Sequence, residues 1–248
     1  YPISNTSWAA PRTGDAGYET AFSKDVNGEA LYTEQMTAQQ KEQAAKQGAI
    51  GFLQAAGYTF DEAAQKFTAA PYGAKMAYTI IIPGNAQADH PAFGIAQKAK
   101  EALATIGITL NISDPADAQE MWTALDSGRA EMWAAAFGET LDPDMAQYYA
   151  SENLPTNEGG TGRNTYFITD NTLDQLMSAA RASSDTAYRK DVYRDCLNMI
   201  MDWAVEVPTY QRQDAFIFST QRIKTDTLPA DVTPFYTWLS AVEAIELS

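Results

Sequence analysis

The sequence predicts an α/β fold with a mainly parallel sheet flanked by helices, and three observations predict it. Short apolar, β-branched or aromatic runs recur at about 77–82, 108–112 and 132–137, as strands buried on both faces do. Between them lie segments with apolar residues at helical spacing, one following Asp89 and one following Asp117. The distance from each run to the next suits a helical crossover and is too long for a hairpin, so parallel neighbours and two βαβ units are expected.

Composition bounds what such a fold can do. With 248 residues, 45% of them hydrophobic, the chain can bury a substantial core as one large or two unequal domains. A formal charge of −15 and a sequence pI near 4.3 argue against nucleic acid or an anionic membrane surface as partner, since both need basic patches. The single cysteine, Cys196, cannot form an internal disulfide and reads as a small buried hydrophobe on a helix. No apolar run reaches the roughly 18 residues of a membrane helix.

In chain order, Tyr1-Pro2-Ile3 through Trp8, Pro11, Gly14 and Gly17 reads as an extended connector, as in a cut through a longer protein. Asp25-Val26-Asn27-Gly28 reads as a turn. Thr37 caps a helix with apolar positions at Ala45, Ala49, Phe52, Leu53 and Ala56, which stops at Gly57. Asp61 to Phe67 is expected to add one helical turn. After the first strand, Asp89 caps a helix with Pro91 in its first turn, running to Gly107. Asp117 with Glu120 is expected to form a capping box for a helix through Leu125 that ends at Gly128. Its Trp122 is expected to pack on the sheet.

The Met132 to Phe137 strand then stops at Gly138 and a cluster of carboxylates, Glu139, Asp142 and Asp144. Ligands of open α/β sheets collect at the carboxyl ends of strands, so a site is expected here. Asp142-Pro143 is expected to open the next helix, Asp142 as N-cap and Pro143 as first residue, which leaves Glu139 as the functional candidate. The glycine-rich stretch 158–162 is expected to be a mobile loop; it lacks the Lys and Ser/Thr of a phosphate-binding loop. Helices are predicted over Thr172–Ala182 and Thr186–Ala204, the second burying Val192, Cys196, Met199, Ile200 and Trp203, with Tyr188 and Tyr193 as core or interface residues. Phe216-Ile217-Phe218 is strand-like, and an aromatic tail follows it.

Catalytic and metal patterns are sparse. His90 is the only histidine and no nucleophile elbow accompanies it; HExxH, CxxC and EF-hand spacings do not occur, and no cofactor or metal is expected. Paired carboxylates such as Glu139 and Asp142 keep one enzymatic alternative open, a carboxylate-based hydrolase of the glycosidase kind.

The succession QAAKQGAIGFLQAAGYTF, AYTIIIPG, LATIGITLNI and MWTALDSGRAEMWAAAFGETLDPD resembles the C-terminal half of the family 5 extracellular solute-binding proteins, the peptide and nickel receptors of ABC importers. NTYFITDNTLDQLMSAARASSDTAYRKDVYRDCLNMIMDWAVEVPTYQR is similar to the same family. That family carries an Asn and a Tyr before a Leu-Asp helix, then an Arg-x-x-x-Tyr helix and a Pro-bearing strand. The likeness runs from about Gln40 to Trp238.

The resemblance implies a periplasmic-binding-protein-like lobe of type II, one of two joined by a hinge, in a protein of about twice this length. Residues 1–36 are then a connector and hinge segment, 37–210 the distal α/β lobe, and 211–248 a return strand and tail that packs on another lobe. The hinge is expected to involve Tyr1 to Asp15 and Thr209 to Gln213. The implied function is capture of a solute, an oligopeptide or dipeptide first of all, outside the cytoplasmic membrane and delivery to ABC permease subunits. A surface or periplasmic location follows, with a lipoprotein anchor as the membrane attachment. Peptide-binding members hold the ligand's ammonium on the aspartate of an Ala-Asp-Tyr-x-Asp/Glu-Pro motif; aligning Asp142-Pro143 with its end puts Glu139 on that aspartate and Thr140 on the tyrosine. Asn164 and Tyr166 lie near the family's Asn and Tyr, and Trp133 is expected to supply a flat apolar wall.

Overall fold

A three-stranded parallel sheet places everything that follows. The computed structural model describes residues 1–136, 138, 142–211, 215–230, 232 and 236–248. Helix α1 (Ala38–Ala55) starts at the expected capping box, in which the Thr37 hydroxyl accepts from the Gln40 N–H and the Gln40 side chain accepts from the Thr37 N–H. The segment expected to add a helical turn forms a hairpin instead, β1 (Thr59–Asp61) with β2 (Lys66–Ala69) antiparallel to it. Local turn chemistry decides this: Asp61 Oδ1 accepts from the N–H groups of Ala63 and Ala64, and Gln65 turns back at φ 54°. Phe60 and Phe67 face each other across the hairpin with ring centroids 4.8 Å apart.

Strands β3 (Ala77–Ile81) and β4 (Thr109–Ser113) run parallel, joined by helix α2 (Pro91–Ala104). The α2 cap is His90 rather than Asp89, its Nδ1 accepting from the Ala92 N–H at 3.1 Å while Pro91 starts the helix. Helix α3 (Gln119–Asp126) leads to β5 (Met132–Trp133), which is parallel to β3 on the side away from β4. Its expected capping box does not form: Ala118 is the N-cap, and Asp117 only receives the Gln119 N–H at 2.9 Å. Met121 and Leu125 make the buried face of α3, while Trp122 is 42% exposed, against expectation.

Glu131 fixes where β5 begins. It pairs with Lys75, just before β3, and accepts from the N–H of Thr79 within β3, so Trp133 falls opposite Ile81. The strand ends sooner than predicted, with a last ladder bond from the Ala134 N–H to the Ile81 carbonyl; Phe137 lies outside the described residues. Ile50 of α1, Phe67, Ile106 and Ile108 form the core on this side, with Leu53, Tyr58, Tyr78 and Leu103 against them.

A second core is helical. Helix α4 (Ala146–Tyr149) follows a segment in which Asp144, not Asp142, accepts the first helical N–H, that of Ala146. Helices α5 (Asn171–Ala182) and α6 (Thr186–Asp202) pack as an antiparallel pair, capped by Asp170 and Asp185. Leu173, Met177 and Ala180 of α5 meet Tyr193, Cys196, Leu197 and Ile200 of α6. Burial pushes the Cys196 thiol up to about 12. Tyr188 and Trp203 sit at the surface, because α6 points them away from α5. The connector lies on α6 through Trp8 on Tyr193, Tyr1 Oη on Asn198 and Asp15 on Lys190. Its Asn5 N–H reaches Gln211 Oε1 at 2.9 Å, so the two expected hinge segments touch.

Stretch 158–162 is tied down rather than free, since Thr161 donates its N–H to Asn153 and its hydroxyl to the Gln147 carbonyl. The expected strand at Phe216 to Phe218 does not form, and Ile217 is 97% exposed. Among the described residues no helix is long and apolar enough to cross a membrane.

Candidate functional site

Strand order β4-β3-β5 makes the C-terminal ends of β3 and β5 the point where the winding of the sheet reverses. The chain leaves β3 toward one neighbour and returns on its other side, and such reversals open the ligand crevices of open α/β sheets. Trp133 is the residue at that point. Its ring packs on Tyr166, centroids 5.4 Å apart, and Tyr166 stacks on Tyr149 of α4 at 5.4 Å and 16°. Three aromatic rings therefore join the sheet end to the helical core.

A carboxylate closes the row. Tyr149 Oη donates to Glu206 Oε2 at 2.8 Å and Tyr166 Oη donates to the same oxygen at 2.5 Å. Burial first, and the charge of Glu206 second, push both phenols well above the ordinary phenol range. Both hydroxyls therefore stay donors at any working pH.

Asn164 lies beneath this row, completely buried. Its Nδ2 donates to the carbonyls of Ala150 and Ile168 at 3.0 and 2.9 Å, and its Oδ1 accepts from the Ile168 N–H at 3.2 Å. Expected as a ligand contact, it instead spends its amide on backbone and holds the loop that carries Tyr166. Of the four expected site residues, the structure thus brings Trp133 and Tyr166 into ring contact and sets Asn164 behind them; Glu139 lies outside the described residues.

Asp142 faces the other way. Arg189 Nη2 reaches both its oxygens, at 2.7 and 2.8 Å, and the guanidinium lies over Trp8 and Tyr193, 5.2 and 5.5 Å from the ring centroids. The N-cap role expected of Asp142 is lost to this pair. A polar hollow of about 580 Å³ lies beside it among Asp144, Glu152, Arg181 and Arg189. Its charges are committed to each other, with Arg181 3.3 Å from Asp144 and 3.7 Å from Glu152. Among the described residues no three His, Cys, Asp or Glu side chains gather as metal ligands.

Sequence reasoning missed Glu206 and Tyr149. A signal for the first exists in Val205-Glu206-Val207: both valines are exposed and the acid between them turns inward, the reverse of what polarity alone dictates. Tyr149 carries no such signal, because its partners lie 17 and 57 residues away.

The sequence matches no protein-family model and no curated protein sequence. Solved structures do match. The oligopeptide-binding protein AppA from Bacillus subtilis, in complex with a nonapeptide, superposes at a TM-score of 0.51 with 16% identity, over 75% of this chain and 35% of that one. NikZ from Campylobacter jejuni, in complex with Ni(L-His), gives 0.49 with 20% identity, over 65% of this chain and 30% of that one. This chain thus spans about a third of the length of the proteins it matches. Over that span it has the α/β fold of the solute-binding proteins.

Proposed function

We propose that the chain is the ligand-bearing C-terminal lobe of an extracytoplasmic solute-binding protein that serves an ABC importer, with an oligopeptide or dipeptide as its solute. The observation that carries the reading is the row Trp133, Tyr166, Tyr149 and Glu206 at the carboxyl end of a parallel sheet. Flat apolar walls beside a few fixed polar groups are what a small-solute site needs. Trp133 and Tyr166 form the wall in this reading, Asn164 holds it, and Glu139 reaches the ligand from the neighbouring loop. Residues 37–210 act as the lobe, 1–36 as the connector, and 211–248 packs on a second lobe. Permease subunits are the partners, and the protein works at the cell surface or in the periplasm, held there as a lipoprotein.

Tryptophan fluorescence of the chain titrated with trialanine tests this, with Trp133→Phe as the control that removes the reporting ring. Saturable quenching in the wild type and its loss in Trp133→Phe is the expected result. Binding should be weak, since one wall of a cleft recovers little of the freedom a ligand loses. No saturable change at millimolar peptide would overturn the reading.

A further inference from the structure

We infer that Glu206 is a ligand-binding residue that takes an alkylammonium group of the solute on its Oε1 atom. The inference rests on the solute-binding reading and names the chemistry of one end of its ligand. Oε2 receives both phenol protons, at 2.8 and 2.5 Å, which fills its two lone pairs. Oε1 has no hydrogen-bond donor among the described residues, yet it is not sealed off from solvent. A half-buried carboxylate with one oxygen pinned and the other open is an oriented anion.

Its surroundings leave it short of positive charge. No lysine or arginine forms an ion pair with it among the described residues. The two tyrosines do not neutralise it, because their phenols hold their protons. They orient it through Oε2.

The geometry also chooses between cations. A guanidinium fork gains its advantage by meeting both oxygens of a carboxylate, and here one is taken. A compact ammonium needs only Oε1. The group can come from a peptide amino terminus or from a lysine side chain, and the test separates these.

Calorimetry on the full chain would use two matched pairs of probes. The first is trialanine against N-acetyl-trialanine. The second is N-acetyl-Ala-Lys-Ala-amide against the same peptide acetylated on its lysine. The wild type is expected to prefer the charged member of at least one pair by about tenfold, as a partly desolvated charge pair should give. Glu206→Gln should abolish that preference while binding the neutral member within about twofold, because Gln can still accept both phenols. The pair that shows the preference names the source of the ammonium. Preference retained in Glu206→Gln overturns the assignment, and so does equal binding of both members by the wild type; the solute-binding reading survives both results. Binding of no probe by the wild type overturns both.

Discussion

Replacing Asn164 by alanine separates a residue that touches ligand from one that builds the site. The side chain is completely buried and makes hydrogen bonds with Ile168 N–H, Ile168 C=O and Ala150 C=O, at 3.2, 2.9 and 3.0 Å. The Ala150 carbonyl keeps a second donor, the Asn153 N–H at 3.0 Å. The two Ile168 groups have no other partner among the described residues. Leaving each unpaired costs about 1–2 kcal/mol, and the lost bond to Ala150 about 1 kcal/mol more. Asn164→Ala should therefore destabilise the chain by about 3–5 kcal/mol in urea denaturation followed by circular dichroism. Tyr166, two residues on, should lose its fixed place, so ligand quenching of Trp133 should weaken as well. A loss of stability below about 1 kcal/mol, with affinity alone reduced, would refute this reasoning and return Asn164 to the ligand surface.

Three further outcomes are expected. The phenols of Tyr149 and Tyr166 bind their protons more tightly folded than unfolded, so their contribution to stability is complete below about pH 10 and is lost as pH rises above it. Absorbance at about 295 nm should show these two ionising only with unfolding, and the double Phe variant should lose that step; ordinary titration before unfolding would contradict it. Cys196, fully buried with its thiol pushed up to about 12, should react with a disulfide reagent only at the rate of unfolding, and fast labelling of the folded chain would contradict its packing. Glu139→Gln should weaken ligand binding by about 2–5 kcal/mol with little change in melting temperature, whereas Asp142→Asn, at a partly exposed ion pair with Arg189, should cost at most about 1 kcal/mol of stability.

The sheet was legible in the sequence because its signal is local. The runs at 77–82 and 108–112 are rich in β-branched residues and bounded by turn residues, and they appear as β3 and β4 within one residue at each end. Capping was legible only in part. Thr37 with Gln40 closes its box, whereas at Asp89-His90-Pro91 an imidazole nitrogen takes the place expected of the carboxylate. The hairpin at Asp61 was hidden because Asp61 and Gln65 set a turn that helical spacing does not register. At the site, Trp133 and Tyr166 could be singled out one by one, but their contact joins residues 33 apart in sequence, and Glu206 reaches Tyr166 across 40. The role of Asn164 depends on burial, which a polar residue in a loop does not announce.

Native mass spectrometry of the protein, purified without denaturation at the full length of its natural chain, tests the central claim most directly. The account predicts a population carrying small adducts that dissociate on mild activation and are identified as peptides bearing an ammonium group, released intact over hours at working temperature. Adduct-free protein that cleaves added peptides or glycosides with turnover would contradict it, and would hand the carboxylates of this site to hydrolysis instead.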